Sequence, residues 1–203
     1  MTSERSGSSS FCVLMLVSLL GYVTLGFRVT STRQTQKRSM SVYRKPLYES
    51  NYLLDLFSEE YSMTMKGFTI DSIEAEDSEA EPIPGQIRLQ DCGAGWGSGE
   101  HPTTYLCLKF LSDSVKNGDQ VLDYGCGSGI LSIFSVKALG AKHSVAVDID
   151  ELTLIAAQTN MRINRISDHV DVTHTRYVYF GEDRFPPADV TVANILPGPL
   201  TRL

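Results

Sequence analysis

The stretch DYGCGSG, residues 123–129, decides how this chain folds. Residues 120–124 (QVLDY) predict a short strand, and residues 130–139 (ILSIFSVKAL) have the apolar spacing of a helix. Glycines between a strand and a helix adopt positive φ and let a ligand approach the backbone closely. The helix behind them adds free N–H groups and the positive end of its dipole. The stretch therefore predicts a strand, a ligand-binding turn and a helix.

Strands and helices continue to alternate on both sides of this turn. Pro102 suits the first turn of a helix, and Asp150 suits the cap of another. Further strands are predicted at residues 144–149, 169–174 and 188–193. This alternation predicts an α/β fold, with a parallel sheet flanked by helices in a Rossmann-like arrangement. The predicted apolar stripe of the helix after Asp150 consists of Leu152, Ile155, Ala156, Thr159 and Ile163.

The spacing of the glycines selects the ligand. A dinucleotide turn needs its third glycine three residues after the second. Here Gly129 follows Gly127 by two residues, and position 130 is Ile. The pattern D-x-G-x-G-x-G is the usual first motif of enzymes that use S-adenosylmethionine, so this cofactor is expected.

An acidic residue follows the next strand. Asp148 lies 19 residues after Gly129, where a carboxylate can accept hydrogen bonds from ribose hydroxyls. Asp150 competes for this role, but its position past the strand end favours a helix cap. We therefore assign the ribose to Asp148.

The sequence NILP, residues 194–197, follows the strand ADVTVA. Ligands of open parallel sheets bind outside the carboxyl ends of the strands, so Asn194 is expected to face the same crevice as Gly125 and Asp148. Its amide oxygen, with a neighbouring backbone carbonyl, can orient an incoming amine. Asn194 and Ile195 are the predicted catalytic residues; a plain turn before proline is the alternative.

Together, WGSGEHPTTYLCLKFL, VLDYGCGSGILSIFSVKALGAKHSVAVDID and VANILPGPL resemble the PrmA family over residues 87–203. The resemblance implies a class I methyltransferase fold and methylation of amino groups on a large-subunit ribosomal protein. It also implies a flexible Gly-rich loop at residues 91–104. Trp96, at a position usually held by Phe, is interpreted as an aromatic wall of the site, with ordinary packing as an equal alternative. The residues predicted to bind the cofactor, from motif and resemblance together, are Thr104, Asp123, Gly125, Gly127, Gly129, Asp148 and Asn194.

Class I methyltransferases have three further strands, and the chain ends nine residues after Asn194. We interpret it as truncated after the fourth strand, with a partner that completes the sheet as the alternative. The leading function is a protein N-methyltransferase that acts on a lysine side chain or an N-terminus. The alternatives are a protein-lysine methyltransferase with a non-ribosomal substrate and an inactive binding protein.

Composition excludes several other classes. The net charge of -6 argues against a nucleic-acid surface, and the four cysteines have neither a CxxC pair nor zinc-ligand spacing. We therefore expect no metal and no direct nucleic-acid binding. Residues 46–86 form a predicted short N-terminal region with an acidic, solvated linker at 71–85, which holds six acids and no base between residues 71 and 81.

Residues 1–45 have the composition of a targeting sequence and are excluded from the predicted fold. Residues 11–27 are apolar and free of charge, and residues 28–45 hold six bases and no acid. A signal-like segment before a transit-like one predicts delivery to an organelle, a plastid first and a mitochondrion second. The alternatives are an uncleaved membrane anchor at 11–27, the one expected membrane contact, and a misassigned start codon.

Overall fold

The computed structural model describes residues 11–18, 21–28, 63–90, 102–177 and 188–195. Its larger sheet contains six strands in the order β2-β1-β9-β6-β7-β8, and its smaller sheet has the order β3-β4-β5. The strands are β1 Phe11–Ser18, β2 Gly21–Arg28, β3 Met63–Met65, β4 Phe68–Ile73, β5 Gln86–Gln90, β6 Gln120–Tyr124, β7 His143–Asp148, β8 Val170–His174 and β9 Val190–Ala193. The α-helices are α1 Pro102–Ser114, α2 Ile130–Lys137 and α3 Glu151–Ile163.

The predicted α/β fold is confirmed in the part of the chain that carries the glycine motif. β6 pairs in parallel with β7 on one side and with β9 on the other, and β7 pairs in parallel with β8. α2 packs on β6 and β7, α3 packs on β7 and β8, and α1 packs on α2 and β9. Because helices cover the sheet, each of β6, β7 and β9 contains three buried residues. Phe134, Ile133 and Leu108 form the centre of the core and have no exposed surface.

The smaller sheet corrects the prediction of a solvated linker at residues 71–85. β4 continues through Asp71 to Ile73 and pairs in parallel with β5. It also forms a hairpin with β3, and both turn residues of that hairpin, Lys66 and Gly67, have positive φ. The acids concealed this strand in the sequence, although Ile70 is buried in the core.

Residues 74–81 are the acidic loop between β4 and β5. The Arg88 side chain, on β5, is buried and fastens this loop through its backbone. Its Nη1 donates to the carbonyl of Ala80 at 2.7 Å, and its Nη2 donates to the carbonyl of Asp77. Most of the loop is exposed, as predicted, but its path is fixed by these bonds.

Residues 11–28 also differ from the prediction, which left them out of the fold. β1 and β2 form an antiparallel hairpin, and β1 pairs in parallel with the outer edge of β9. An edge strand presents unpaired N–H and C=O groups that another strand can satisfy, and a charge-free segment is suited to that place. The edge predicted to be open is therefore covered by the chain itself. The targeting role of residues 1–45 stays a prediction.

Candidate active site

Three loops meet at one rim of the larger sheet. Tyr124 of β6 lies beside Val147 of β7 on one side and Ala193 of β9 on the other. The next residue on each of these three strands is a predicted site residue, namely Gly125, Asp148 and Asn194. Since the strands are parallel, the three residues leave the sheet at the same edge. The structure thus brings together the three motifs that the sequence places far apart.

The glycine turn has the backbone conformation that its sequence requires. Gly125, Gly127 and Gly129 have φ values of 78°, 54° and 82°, in the region that side chains disfavour. The N–H groups of Gly125 and Cys126 both donate to the Val147 carbonyl, at 2.7 and 3.0 Å. These bonds anchor the turn to the end of β7.

Ile195 lies against this turn from the other side. A Cβ atom at Gly125 would overlap the Cγ2 atom of Ile195. The absence of a side chain at Gly125 therefore lets the loop after β9 approach the glycine turn. Asn194 precedes Ile195 at the rim and is partly exposed. The predicted catalytic pair thus borders the predicted cofactor turn.

The Asp148 carboxylate connects the first two loops directly. Its Oδ2 accepts a hydrogen bond from the Gly127 N–H at 3.1 Å. Its Oδ1 accepts from the N–H groups of Ile149 and Asp150, at 2.7 and 3.1 Å. The side chain is held in one orientation at the end of β7, and it remains partly exposed.

Asp150 has the role that its position predicts. It is the N-cap of α3, and its side chain accepts from the N–H groups of Leu152 and Thr153. A carboxylate at the N-terminus of a helix satisfies free donors and interacts favourably with the dipole. The two acids of this loop are therefore separated in function, with Asp148 at the rim and Asp150 on the helix.

The side chain of Asp123 is buried inside the fold, and the predicted contact of this residue with the cofactor stays a prediction. The side chain is 0% exposed. Its Oδ2 accepts from the Ser132 N–H at 3.2 Å and from the Ser132 hydroxyl at 2.9 Å. Burial, together with a smaller effect of the Asp148 charge, raises the pKa of Asp123 from 3.8 to about 7, although the hydrogen bonds of Ser132 lower it. Asp123 supports the turn from within, by tying β6 to α2.

The other residues predicted for the site are either buried or outside the described part of the chain. Thr104 lies in the first turn of α1 and is buried, so its contact with a cofactor stays a prediction. Trp96, the rest of segment 91–101, and the residues Leu196 and Pro197 lie outside the described residues.

The apolar stripe predicted for α3 is wrong in two positions. Leu152 and Ile155 are 63% and 59% exposed. Ile149 and Tyr177 are exposed as well. The buried face of α3 consists of Thr153, Leu154, Ala156, Ala157, Asn160, Met161 and Ile163.

Sequence reasoning missed Asn160, which contacts the glycine turn from α3. Its Nδ2 donates to the Ser128 carbonyl at 3.0 Å. Ala156 and Asn160 are four residues apart, so the same spacing that identified the helix could have drawn attention to an amide on its buried face.

Within the described ranges, His, Cys, Asp and Glu side chains form no group of three or more that could hold a metal ion. Among the helices of the same ranges, none combines the length and apolar character needed to cross a bilayer.

Comparison with known proteins identifies the family. Residues 64–203 match the family model described as ribosomal protein L11 methyltransferase (PrmA). The chain is similar to the ribosomal protein L11 methyltransferase of Actinobacillus succinogenes, at 42% identity over 126 residues, which are 60% of this chain and 40% of that protein. The enzyme of that name from Neisseria meningitidis is 47% identical over 119 residues, or 58% of this chain and 37% of that protein. The chain therefore spans about two fifths of the length of these curated relatives.

A solved structure supports the fold. The crystal structure of ribosomal protein L11 methylase from Lactobacillus delbrueckii subsp. bulgaricus matches with a TM-score of 0.55 and 30% identity, over 70% of this chain and 69% of that chain. The family match begins at residue 64 and not at 87, so it includes β4 and β5. Because it covers more than half of the chain, and the motifs agree with it, the chain belongs to the PrmA family of ribosomal protein L11 methyltransferases.

Proposed function

We propose that the chain is the S-adenosylmethionine-binding part of a protein N-methyltransferase, with a ribosomal protein of the L11 type as its substrate. The observation that carries this proposal is the row of Gly125, Asp148 and Asn194 at one rim of the sheet. The relatives named for ribosomal protein L11 methylation support the substrate class. Methyl transfer to a lysine side chain or an N-terminal amine is the reaction that Asn194 suits.

Asp148 fits the ribose of the cofactor. An ionised carboxylate has about four acceptor positions, and three N–H groups of this loop occupy three of them. The remaining position belongs to Oδ2, which carries one of the three bonds. A ribose hydroxyl can donate to it without displacing a bond that the structure contains.

The glycine turn fits a ligand that touches backbone. Gly125 and Gly127 leave the rim free of side chains at the turn, and both residues are partly exposed. The N-terminus of α2 follows directly at Ile130. Free N–H groups at a helix start favour a carboxylate, and the methionine part of the cofactor carries one.

Asn194 has the chemistry to orient the acceptor amine. Its amide oxygen can accept an N–H bond from the amine, which leaves the nitrogen lone pair free to point at the methyl group of the bound cofactor. A lysine amine with its ordinary pKa of about 10.4 must first lose a proton, and we assign that loss to solvent. When bound, the cofactor supplies a methyl group on a positively charged sulfur. Holding the two reactants in place is then the main task of the protein.

The binding half of this proposal is tested with S-adenosylhomocysteine and isothermal calorimetry. Asp148→Ala should weaken binding by about tenfold or more, because a hydrogen bond to a charged acceptor is lost. Asp150→Ala is the matched control, since it removes the neighbouring carboxylate but leaves the rim intact; its affinity should stay within about twofold. Equal affinities for the two variants would remove Asp148 from the ribose.

The transfer half is tested with labelled S-adenosylmethionine and purified ribosomal protein L11, followed by mass spectrometry. Asn194→Ala should reduce the turnover by a larger factor than it weakens the affinity for S-adenosylhomocysteine, because Asn194 is expected to orient the amine as well as to border the cofactor. Label found on other proteins of an extract, and not on L11, would assign a non-ribosomal substrate. Binding without transfer to any protein would instead favour a binding protein.

A further inference from the structure

A buried asparagine joins the glycine turn to the end of β5. Asn160 lies in α3 and is 0% exposed. Its Oδ1 accepts from the Gln90 N–H at 2.8 Å, and its Nδ2 donates to the Ser128 carbonyl at 3.0 Å. One amide therefore holds two backbone segments that are 38 residues apart, from Gln90 to Ser128.

The bond to Ser128 controls the last peptide of the turn. In a trans peptide the carbonyl and the following N–H point in opposite directions. When Asn160 holds the Ser128 carbonyl, the Gly129 N–H is directed away from α3, and it donates to the Cys126 carbonyl at 2.8 Å. That bond closes the turn that carries Gly127.

The next residue of α3 constrains the same peptide. A Cβ atom at Gly129 would overlap the Cε atom of Met161. Gly129 is also the N-cap of α2 and has φ of 82°. α3 thus sets both the orientation of this peptide and its distance from the helix.

The second hydrogen bond of the Asn160 side chain holds the backbone at Gln90. Gln90 is the last residue of β5, where it pairs with Ile73 of β4. In the sequence it directly precedes segment 91–104, which resembles the Gly-rich loop of the family. The Asn160 amide therefore fixes the point at which β5 ends relative to the turn.

We propose that Asn160 is a positioning residue for the cofactor site. It keeps the 126–129 turn in the geometry that receives the ligand and locks that turn to the end of β5. The inference rests on the proposed function, since it assumes that the turn binds S-adenosylmethionine. It adds a residue on α3, which lies outside the three motif loops.

The chain supplies a matched control on the same helix. Asn164 lies one turn after Asn160, is also buried, and also binds β5. Its Oδ1 accepts from the Arg88 N–H at 3.1 Å, and its Nδ2 donates to the Arg88 carbonyl at 2.6 Å. Its described bonds lead to β5, α3 and Lys137, and not to the glycine turn. Substitution at either asparagine should therefore disturb β5, but only one should disturb the turn.

The test compares Asn160→Asp with Asn164→Asp in the full chain. Each change keeps the size and removes the Nδ2 donor. Thermal unfolding measures the stability of each variant, and calorimetry measures its affinity for S-adenosylhomocysteine. We expect both midpoints to fall, whereas the affinity falls by about tenfold in N160D and by less than about twofold in N164D.

Three results would overturn the inference. The first is an equal change of affinity in both variants, and the second is an unchanged affinity in folded N160D. The third is an unsubstituted chain that does not bind S-adenosylhomocysteine, which refutes the proposed function as well. Should N160D fail to fold, Asn160→Ser and Asn164→Ser give the same comparison without a buried charge.

Discussion

The buried carboxyl of Asp123 should make the stability of this chain depend on pH in an unusual direction. Its Oδ2 is bonded to Ser132, and its Oδ1 has no partner within the described part of the chain. We consider the change Asp123→Asn, which keeps the shape and the acceptor for Ser132 but cannot ionise. The unsubstituted chain and this variant should then differ in how their free energy of unfolding responds to pH.

The size of this change in the free energy of unfolding follows from the pKa of Asp123. Burial is the main cause that raises the pKa of Asp123 from 3.8 to about 7 in the folded chain. Because the folded state binds this proton more tightly than the unfolded state, stability rises as the pH falls through 7, and the gain is complete near 3.8. Between about pH 8 and about pH 5.5, the gain is roughly 2 kcal/mol.

Urea unfolding at these two pH values measures the effect. Other titrating groups contribute equally to both proteins, so the quantity of interest is the stability of D123N minus that of the unsubstituted chain. The unsubstituted chain gains stability as the pH falls, and D123N does not. The difference should therefore be more favourable to D123N at about pH 8 than at about pH 5.5, by roughly 2 kcal/mol. If the difference stays constant over this range, or increases as the pH falls, the carboxyl of Asp123 is not buried as the structure places it.

Two further substitutions test the turn and the helix cap. Gly129→Ala should cost roughly 1–2 kcal/mol for the left-handed backbone, and more for the contact with Met161. Gly118→Ala is its control, because Gly118 also has positive φ but has no atom within 4 Å of the added Cβ; equal losses in urea unfolding would exclude the contact. Asp150→Ala should cost about 1 kcal/mol of stability through the lost cap of α3, and an unchanged unfolding midpoint would count against the cap.

The local elements around the glycine motif could be predicted because their signals are local. Residues 120–124 were predicted as a strand and form β6 with the same bounds. Asp150 was recognised as a cap from its place after a strand, and it caps α3. The shared rim also followed from sequence, because parallel strands of similar length end at the same edge.

The features that failed depend on contacts distant in sequence. Helical spacing in α3 allows more than one apolar face, and the packing of β5 against that helix selected the face with Asn160. Leu152 and Ile155 were therefore left exposed. β4 was hard to recognise because its one acid, Asp71, begins an acidic stretch, and because its partner β5 begins only at Gln86, after the whole acidic loop. The motif places Asp123 at the turn, but it does not show that the side chain is buried and bonded to Ser132.

The way Arg88 fastens the acidic loop separates the charge of that loop from its shape. The guanidinium binds the backbone carbonyls of Asp77 and Ala80, while the acidic residues of the loop are exposed, and Glu81 forms an ion pair with Arg165. Replacing an acid other than Glu81 by a neutral residue should change the local potential and leave the path of the chain as it is. Salt should act in the same way, because the Debye length falls to about 10 Å at about 0.1 M. It should weaken the negative potential of the loop and leave the hydrogen bonds of Arg88 in place.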